Sequence, residues 1–189
     1  HAMESLNGVG ADGKVLLTDV QSSKALLPLA EAAGWSLFAG DPDNVLDRFI
    51  QASKLYEPDI IIRATGDNPL VSAPLAKITW DLLKQNKADY SAHEGMPLGT
   101  GVEVVKTQAL WKAWESHPDA YEREHVTPYI YRHPGEFRLL KELAPPEYRG
   151  TGRLTLDTPE DYLVLEHIFR EKYRGSPLTV KEALSCLEI

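Results

Sequence analysis

Apolar positions along this chain fall in short blocks whose period changes from one block to the next. Lys14-Val15-Leu16-Leu17-Thr18 is an apolar run closed by Asp19, the pattern of a buried strand. From Ser23 to Ala33 the apolar residues Ala25, Leu26, Leu29, Ala30 and Ala33 recur at helical spacing, with Pro28 as an interruption and Gly34 as a stop. Trp35 to Phe38 is a second short strand, closed by Gly40. Asp43 is placed to cap a helix over 44–56, with Val45, Leu46, Phe49, Ile50 and Leu55 inward. Asp59 to Ala64 holds Ile60-Ile61-Ile62, the mark of a strand covered on both faces. A further helix opens at Ser72 or Ala73 and runs to Lys87.

This alternation of strand and helix predicts an α/β fold with a mostly parallel sheet. The second half is less regular. Strands are expected over 88–92, 101–106, 137–143 and 153–157, with a helix from Thr107 to Trp114. Glu122 to Arg132 reads as partly helical, with Pro128 inside it. Thr158-Pro159-Glu160-Asp161 is a helix start with a Thr cap, Pro in the first turn and acidic residues at the positive end of the dipole. Thr179-Val180-Lys181-Glu182 has capping-box spacing and opens the last helix. His1-Ala2-Met3 is read as an expression scar and set aside, which leaves residues 4–189 as one domain without repeat or linker.

Composition narrows the function classes. The 189 residues carry a net charge of −8, which argues against a nucleic-acid partner needing a broad basic field. The single cysteine, Cys186, allows no intrachain disulfide and suits a reducing cytoplasm. No apolar run approaches the roughly 18–20 residues that span a bilayer, and no signal peptide opens the chain, so no membrane partner is expected.

Candidate chemistry sits beyond the carboxyl ends of the predicted strands, where ligands bind in open α/β sheets. Asp67 follows the Ile-rich strand, and Asp157 ends the strand over 153–157. Singly, Asp67 serves an Asp-Asn-Pro turn and Asp157 supports the next helix start. Together they could converge on one Mg²⁺, which takes one or two carboxylates and leaves its other positions to water and phosphate oxygens. Glu122 to Arg132 is either a solvated helix or a polar surface from which Arg123 and His125 reach an anion. A zinc site from His117, His125 and His133 is disfavoured by their spacing. Pro97 to Val104 enters a strand through Gly99 and Gly101, which serve a tight turn or a close backbone approach to a ligand. Glu103, between Val102 and Val104, is expected to point into a cleft.

Four segments in series carry a family likeness: Asp43-Asn44-Val45-Leu46-Asp47-Arg48-Phe49, Arg63-Ala64-Thr65-Gly66-Asp67-Asn68-Pro69-Leu70, Glu122-Arg123-Glu124-His125-Val126-Thr127-Pro128-Tyr129 and Leu156-Asp157-Thr158-Pro159-Glu160-Asp161. In this order they resemble the signature of the spore coat polysaccharide biosynthesis protein F family, grouped with CMP-Kdo and CMP-acylneuraminate synthetases. The likeness spans about residues 14 to 172. It implies a nucleotide-diphospho-sugar-transferase-like three-layer α/β/α fold with a mixed, mostly parallel sheet. It implies transfer of CMP from CTP to an acidic sugar with release of pyrophosphate, in a homodimer, with Mg²⁺ held by Asp67 and Asp157. Arg63, Thr65, Gly66, Glu103, Arg123 and His125 would then bind substrate.

Two departures stand out. Relatives begin with a strand leading into a loop of the form A-R-x-x-S-x-R-L-P-x-K that cradles the triphosphate, and nothing here matches it. Where relatives carry Asp-Gly-Leu-Asp-Val-Glu-Val, this chain has Leu98-Gly99-Thr100-Gly101-Val102-Glu103-Val104. The expectation is therefore an N-terminally incomplete cytidylyltransferase domain, inactive as it stands, with a gap at the centre of its sheet. The alternatives are a non-catalytic sugar- or nucleotide-binding descendant, and a sugar-nucleotide-dependent glycosyltransferase using Asp41-Pro42-Asp43.

Overall fold

The structure is a computed structural model that describes residues 1–187. Helix α1 (Ala2–Leu6) and a 3-10 turn (Asn7–Val9) precede strand β1 (Val15–Asp19), helix α2 (Val20–Ala32) and strand β2 (Ser36–Gly40). Helix α3 (Val45–Tyr56), strand β3 (Ile60–Arg63), helix α4 (Ala73–Asn86) and strand β4 (Tyr90–Glu94) follow. Then come β5 (Glu103–Lys106), α5 (Thr107–Glu115), α6 (Ala120–His125), α7 (Pro128–Arg132) and β6 (Leu139–Leu143). Helices α8 (Pro159–Lys172) and α9 (Val180–Leu184) close the described chain.

The larger sheet has the order β3-β5-β4-β6. Strands β3 and β4 both lie antiparallel to β5, while β6 is parallel to β4. Only β5 runs against the other three, so the expected mixed, mostly parallel sheet is present. Side chains alternate across it with the strand period of two. Ile61, Tyr90, Ala92, Val105 and Leu139 turn to one face, where they meet Leu46 and Ile50 of α3, Leu110 of α5 and Ile130 of α7. Ile60, Ile62, Val104 and Leu140 turn to the other, against Ala76 and Leu83 of α4. Helices on both faces give the three-layer α/β/α architecture. A separate cluster joins Leu70 and Leu154 to Leu165 and Ile168 of α8.

Strands β1 and β2 form a second, two-stranded parallel sheet, paired from Val15 with Ser36 to Asp19 with Gly40. Among the described residues, β1 pairs only with β2 and β3 only with β5. Helices, not strand hydrogen bonds, join the two sheets. Helix α3 packs on β1 and β2 while its Leu46 and Ile50 fill the core of the larger sheet. On the opposite face, Ala2, Leu6 and Val9 pack with Ile60 and Ile62, and Asn7 receives the Trp35 indole N–H at 3.0 Å. Residues 1–3, set aside in the sequence reading, are docked here: the His1 ring meets the Pro69 carbonyl at 2.6 Å and accepts from the Leu178 N–H at 3.0 Å.

Local chemistry moved several expected boundaries. Asn44, not Asp43, caps α3 by accepting from the Asp47 N–H at 3.0 Å. Asp41 has already turned the chain by accepting from the N–H groups of Asp43 and Asn44. The expected strand over 153–157 is only an isolated bridge at Arg153, opposite Leu98. It forms beside Gly99, whose φ of +94° and lack of a Cβ let it sit on the Leu154–Thr155 peptide; a Cβ there would stand 2.8 Å from that backbone. The close approach allowed by this glycine is therefore to the chain itself. Helix caps were more predictable, and Thr158 and Thr179 both form reciprocal capping boxes.

On the α4 face, β4 buries two polar side chains. Ser91 donates to the Thr79 carbonyl at 2.8 Å, and His93 Nδ1 lies 2.9 Å from the Thr79 hydroxyl. That hydroxyl donates to the Leu75 carbonyl, so it accepts from the Nδ1–H of His93. Burial holds the His93 pKa below its usual value, against a smaller upward pull from Glu142. Because the folded-state pKa is the lower one, the unfolded chain takes up this proton first. Stability is then constant above the unfolded value near 6.5 and falls as the pH drops through the window below it. Urea midpoints of the wild type and His93→Gln, compared at about pH 7.5 and 5, should diverge, with the wild type losing more on acidification.

Candidate active site

The carboxyl end of β3 and the loop after it carry Arg63, Thr65, Gly66 and Asp67. A turn closed by Asn68 N–H on the Thr65 carbonyl, 3.2 Å, presents Asp67 toward the segment that follows the Arg153 bridge. The Leu156 N–H donates to the Asp67 carbonyl at 2.7 Å and fixes the two loops together. Between them stands the Thr155 hydroxyl, 3.5 Å from Asp67 Oδ2 and 3.2 Å from Asp157 Oδ2. The two carboxylates singled out from the sequence thus flank one hydroxyl at one rim, although Asp157 ends no regular strand.

Their environments differ. Asp67 is half-buried, and its Oδ1 is enclosed with no hydrogen-bond partner among the described residues. An unpartnered buried carboxylate oxygen carries a desolvation cost that a cation would relieve. Asp157 is exposed and ion-paired with Arg153, whose Nε also donates to Asp161 at 2.9 Å. Asp161 in turn accepts from the Asp157 and Thr158 N–H groups at the start of α8. Its pKa is held low, first by Arg153 and then by those backbone donors against desolvation. The α8 cap thus anchors the guanidinium that meets Asp157. Among the described residues, no three His, Cys, Asp or Glu side chains gather as a metal cluster.

Glu103 opens β5 directly across from Arg63, which ends β3. Its Oε2 accepts from Arg63 at 2.6 Å, and its Oε1 accepts from the Tyr90 hydroxyl at 2.7 Å and the Thr127 hydroxyl at 2.6 Å. Burial, and then the Glu103 charge, drive the Tyr90 pKa far above its ordinary value, so Tyr90 stays a donor. Glu103, expected to point into a cleft, gives both carboxylate oxygens to neighbouring side chains of the protein.

Arg123 and His125 do not join these groups. Arg123 lines a groove of ≈ 420 Å³ with Asn44, Trp114, Glu115, His117 and Pro118. His125 is exposed and meets the Tyr121 ring at a tilt of 54°, with ring centroids 4.3 Å apart. The stretch expected to be partly helical breaks between α6 and α7. Val126 adopts φ 75° and ψ −55°, and the Thr127 N–H closes back on the His125 carbonyl at 2.9 Å. This γ-turn is strained for a β-branched residue. It is held by complete burial of the Val126 side chain and by the Thr127 bond to Glu103. Thr127, Tyr90 and Thr155 were missed in the sequence. The signal available was a hydroxyl set among apolar neighbours, as in Leu154-Thr155-Leu156.

The mixed, mostly parallel sheet with helices on both faces defines an α/β protein, and the carboxylate pair stands at the carboxyl rim where that class binds its ligands. Residues 1–183 match the Cytidylyltransferase family, and the chain belongs to it. It is 33% identical over 157 residues to the spore coat polysaccharide biosynthesis protein SpsF of Bacillus subtilis, covering 82% of this chain. It spans between 61% and 65% of the length of the curated relatives it matches. A cytidylyltransferase from Leptospira borgpetersenii superposes with a TM-score of 0.86 at 25% identity, covering 98% of this chain and 80% of that one. The same fold, with a TM-score of 0.60 at 12% identity, occurs in a CMP:2-keto-3-deoxy-manno-octonic acid synthetase solved with CTP, covering 89% of this chain and 88% of that one. Among the described residues no helix is long and apolar enough to cross a membrane.

Removing Glu103 leaves Arg63 charged, mostly buried and unpaired, and frees two hydroxyls. Glu103→Ala should cost about 2–4 kcal/mol, read from urea unfolding. Adding Arg63→Met should recover part of that loss, since no buried charge is then stranded.

Proposed function

We propose that this protein transfers a cytidylyl group from CTP to a hydroxyl of an acidic sugar, releasing pyrophosphate. The observation that carries this reading is the meeting of Asp67 and Asp157 around Thr155 at the rim of the larger sheet. Membership of the cytidylyltransferase family supports the donor, and likeness to SpsF supports a role in polysaccharide synthesis. The acceptor oxygen attacks the α-phosphorus, the bond to the β-phosphate oxygen breaks, and pyrophosphate leaves. The acceptor's hydroxyl proton passes to solvent water, so that the sugar oxygen ends bonded to phosphorus and the departing oxygen stays with pyrophosphate.

The donor set fits Mg²⁺, which needs only one or two carboxylates. Asp67 and Asp157 would hold it, and the enclosed Asp67 Oδ1 would gain the partner it lacks. When bound, the ion supplies positive charge to the phosphates in the transition state. The chain's own contribution is positioning. Arg153 orients Asp157, the α8 cap orients Arg153, and the Glu103 cluster fixes the neighbouring Arg63. Arg63, Thr65 and Gly66 lie on the approach to Asp67 and suit substrate binding; Arg123 and His125 would reach the acceptor only from α6.

We further propose that the space between β1 and β3 takes one parallel strand, and that residues 1–189 without it do not turn over. Both edges are unpaired among the described residues, and Ile60, Ile61 and Ile62 are only half-buried where a central strand would be covered. A homodimer is proposed as well, supported by the exposure of Tyr162 and Leu163 on α8. Sedimentation tests it: dimers should form in the wild type and dissociate in Leu163→Glu.

The reaction itself is tested in the protein that carries the additional strand, with CTP, Mg²⁺ and a panel of acidic sugars, by measuring pyrophosphate release. Asp67→Asn and Asp157→Asn should each lower kcat by about 100-fold or more, while thermal midpoints stay close to the wild type. Near-normal turnover in both variants would remove the carboxylate pair from the mechanism.

A further inference from the structure

Arg153 bridges two carboxylates, and its two ends are held very differently. Its Nε donates to Asp161 Oδ1 at 2.9 Å, and one of its Nη groups meets Asp157 Oδ2. Asp161 is 9% exposed and is itself fixed by the N–H groups of Asp157 and Thr158, both at 3.0 Å, in the cap of α8. That end of the guanidinium is anchored. The Asp157 end lies open, with both side chains close to half exposed, and an ion pair in contact with water holds weakly. Arg153 can therefore let go of Asp157 while it stays on Asp161.

The oxygen that Arg153 occupies is the one the candidate cation site needs. Asp157 Oδ2 shares the Thr155 hydroxyl with Asp67 Oδ2, at 3.2 Å and 3.5 Å, so it is the Asp157 oxygen linked to the other carboxylate. A carboxylate oxygen offers two lone-pair directions. The guanidinium and the hydroxyl take both at Asp157 Oδ2, while Asp67 Oδ1 is enclosed with no partner among the described residues. One hydroxyl proton cannot serve two carboxylates at once, so Arg153 is the positive charge that balances the pair. Two cations on one oxygen repel each other. Arg153 and a divalent ion are thus rivals for Asp157. Removing the arginine would not leave Asp157 adrift, since Thr155 still donates to its side chain and Asp161 still accepts from its N–H.

We propose that Arg153 is the resident counter-ion of the carboxylate pair: it occupies Asp157 in the empty site and yields it to a divalent cation, and so sets the cation concentration the site requires. This rests on the cytidylyl-transfer reading and adds the residue that tunes its metal affinity. Titration of Mn²⁺ into the 189-residue chain, with free Mn²⁺ followed by its electron paramagnetic resonance, tests it without turnover. Arg153→Met, which keeps the stem and loses the charge, should bind Mn²⁺ about fivefold more tightly or better. Arg153→Lys should stay close to the wild type. In the wild type, saturating Mg²⁺ should speed exchange of the Arg153 Nη protons with water and leave its Nε–H, still on Asp161, protected. Unchanged or weaker Mn²⁺ binding in Arg153→Met, an equal gain in Arg153→Lys, or Nη protons indifferent to Mg²⁺ would overturn the proposal and leave cytidylyl transfer standing. Mn²⁺ binding at wild-type strength in both Asp67→Asn and Asp157→Asn, or none in the wild type and Arg153→Met, would overturn both.

Discussion

The Glu103 carboxylate accepts from three side chains belonging to three different parts of the chain: Arg63 at the end of β3, Tyr90 at the start of β4, and Thr127 in the turn between α6 and α7. Reversal of β5 makes this possible. A parallel strand at that place would begin at the opposite rim, far from the carboxyl end of β3. Running antiparallel, β5 sets its first residue opposite Arg63 and diagonal to Tyr90. The bonds then draw the α6–α7 turn onto the sheet and hold Val126 in a backbone conformation it would not keep alone. Loss of this carboxylate would release all three elements at once.

The remainder of the candidate site hangs from that frame through short range contacts. The loop after β3 is tied to the segment after Arg153 by the Leu156–Asp67 backbone bond, and Thr155 stands between the two aspartates. Gly99 permits the underlying contact, since any side chain there would strike the Leu154–Thr155 peptide. Gly99 thus acts through packing, by setting where the Leu154–Thr155 peptide lies. The two-stranded sheet is held differently. It depends on α3 and the α1 region for attachment, so relative motion between it and the larger sheet is opposed by apolar packing without a hydrogen-bonded ladder.

Some of this was legible along the chain because it depends on local physics. The triple isoleucine of β3, the capping boxes at Thr158 and Thr179, and the helical spacing of Leu46, Phe49 and Ile50 are each decided within a few residues. The cap of α3 failed by one residue for an equally local reason, since Asp41 accepts from the Asp43 and Asn44 N–H groups and turns the chain so that Asn44 meets the Asp47 N–H. The break at Val126 was not legible: nothing in Glu122 to Arg132 announces positive φ at a valine, and only burial of its side chain makes that conformation tolerable.

By itself the sequence determined the α/β class, the order of the elements from β1 to α5 and the two aspartates worth watching, because period, capping and turn chemistry act over a few residues. The ordered series of motifs also pointed to the cytidylyltransferase family, to which the chain belongs. Only the tertiary structure decided that Asp67 and Asp157 share a hydroxyl and that Glu103 is consumed by its own neighbours. These outcomes join residues as far as 88 positions apart. Such meetings are set by strand order, by the direction of β5 and by which glycines let backbones touch, none of which a local pattern encodes.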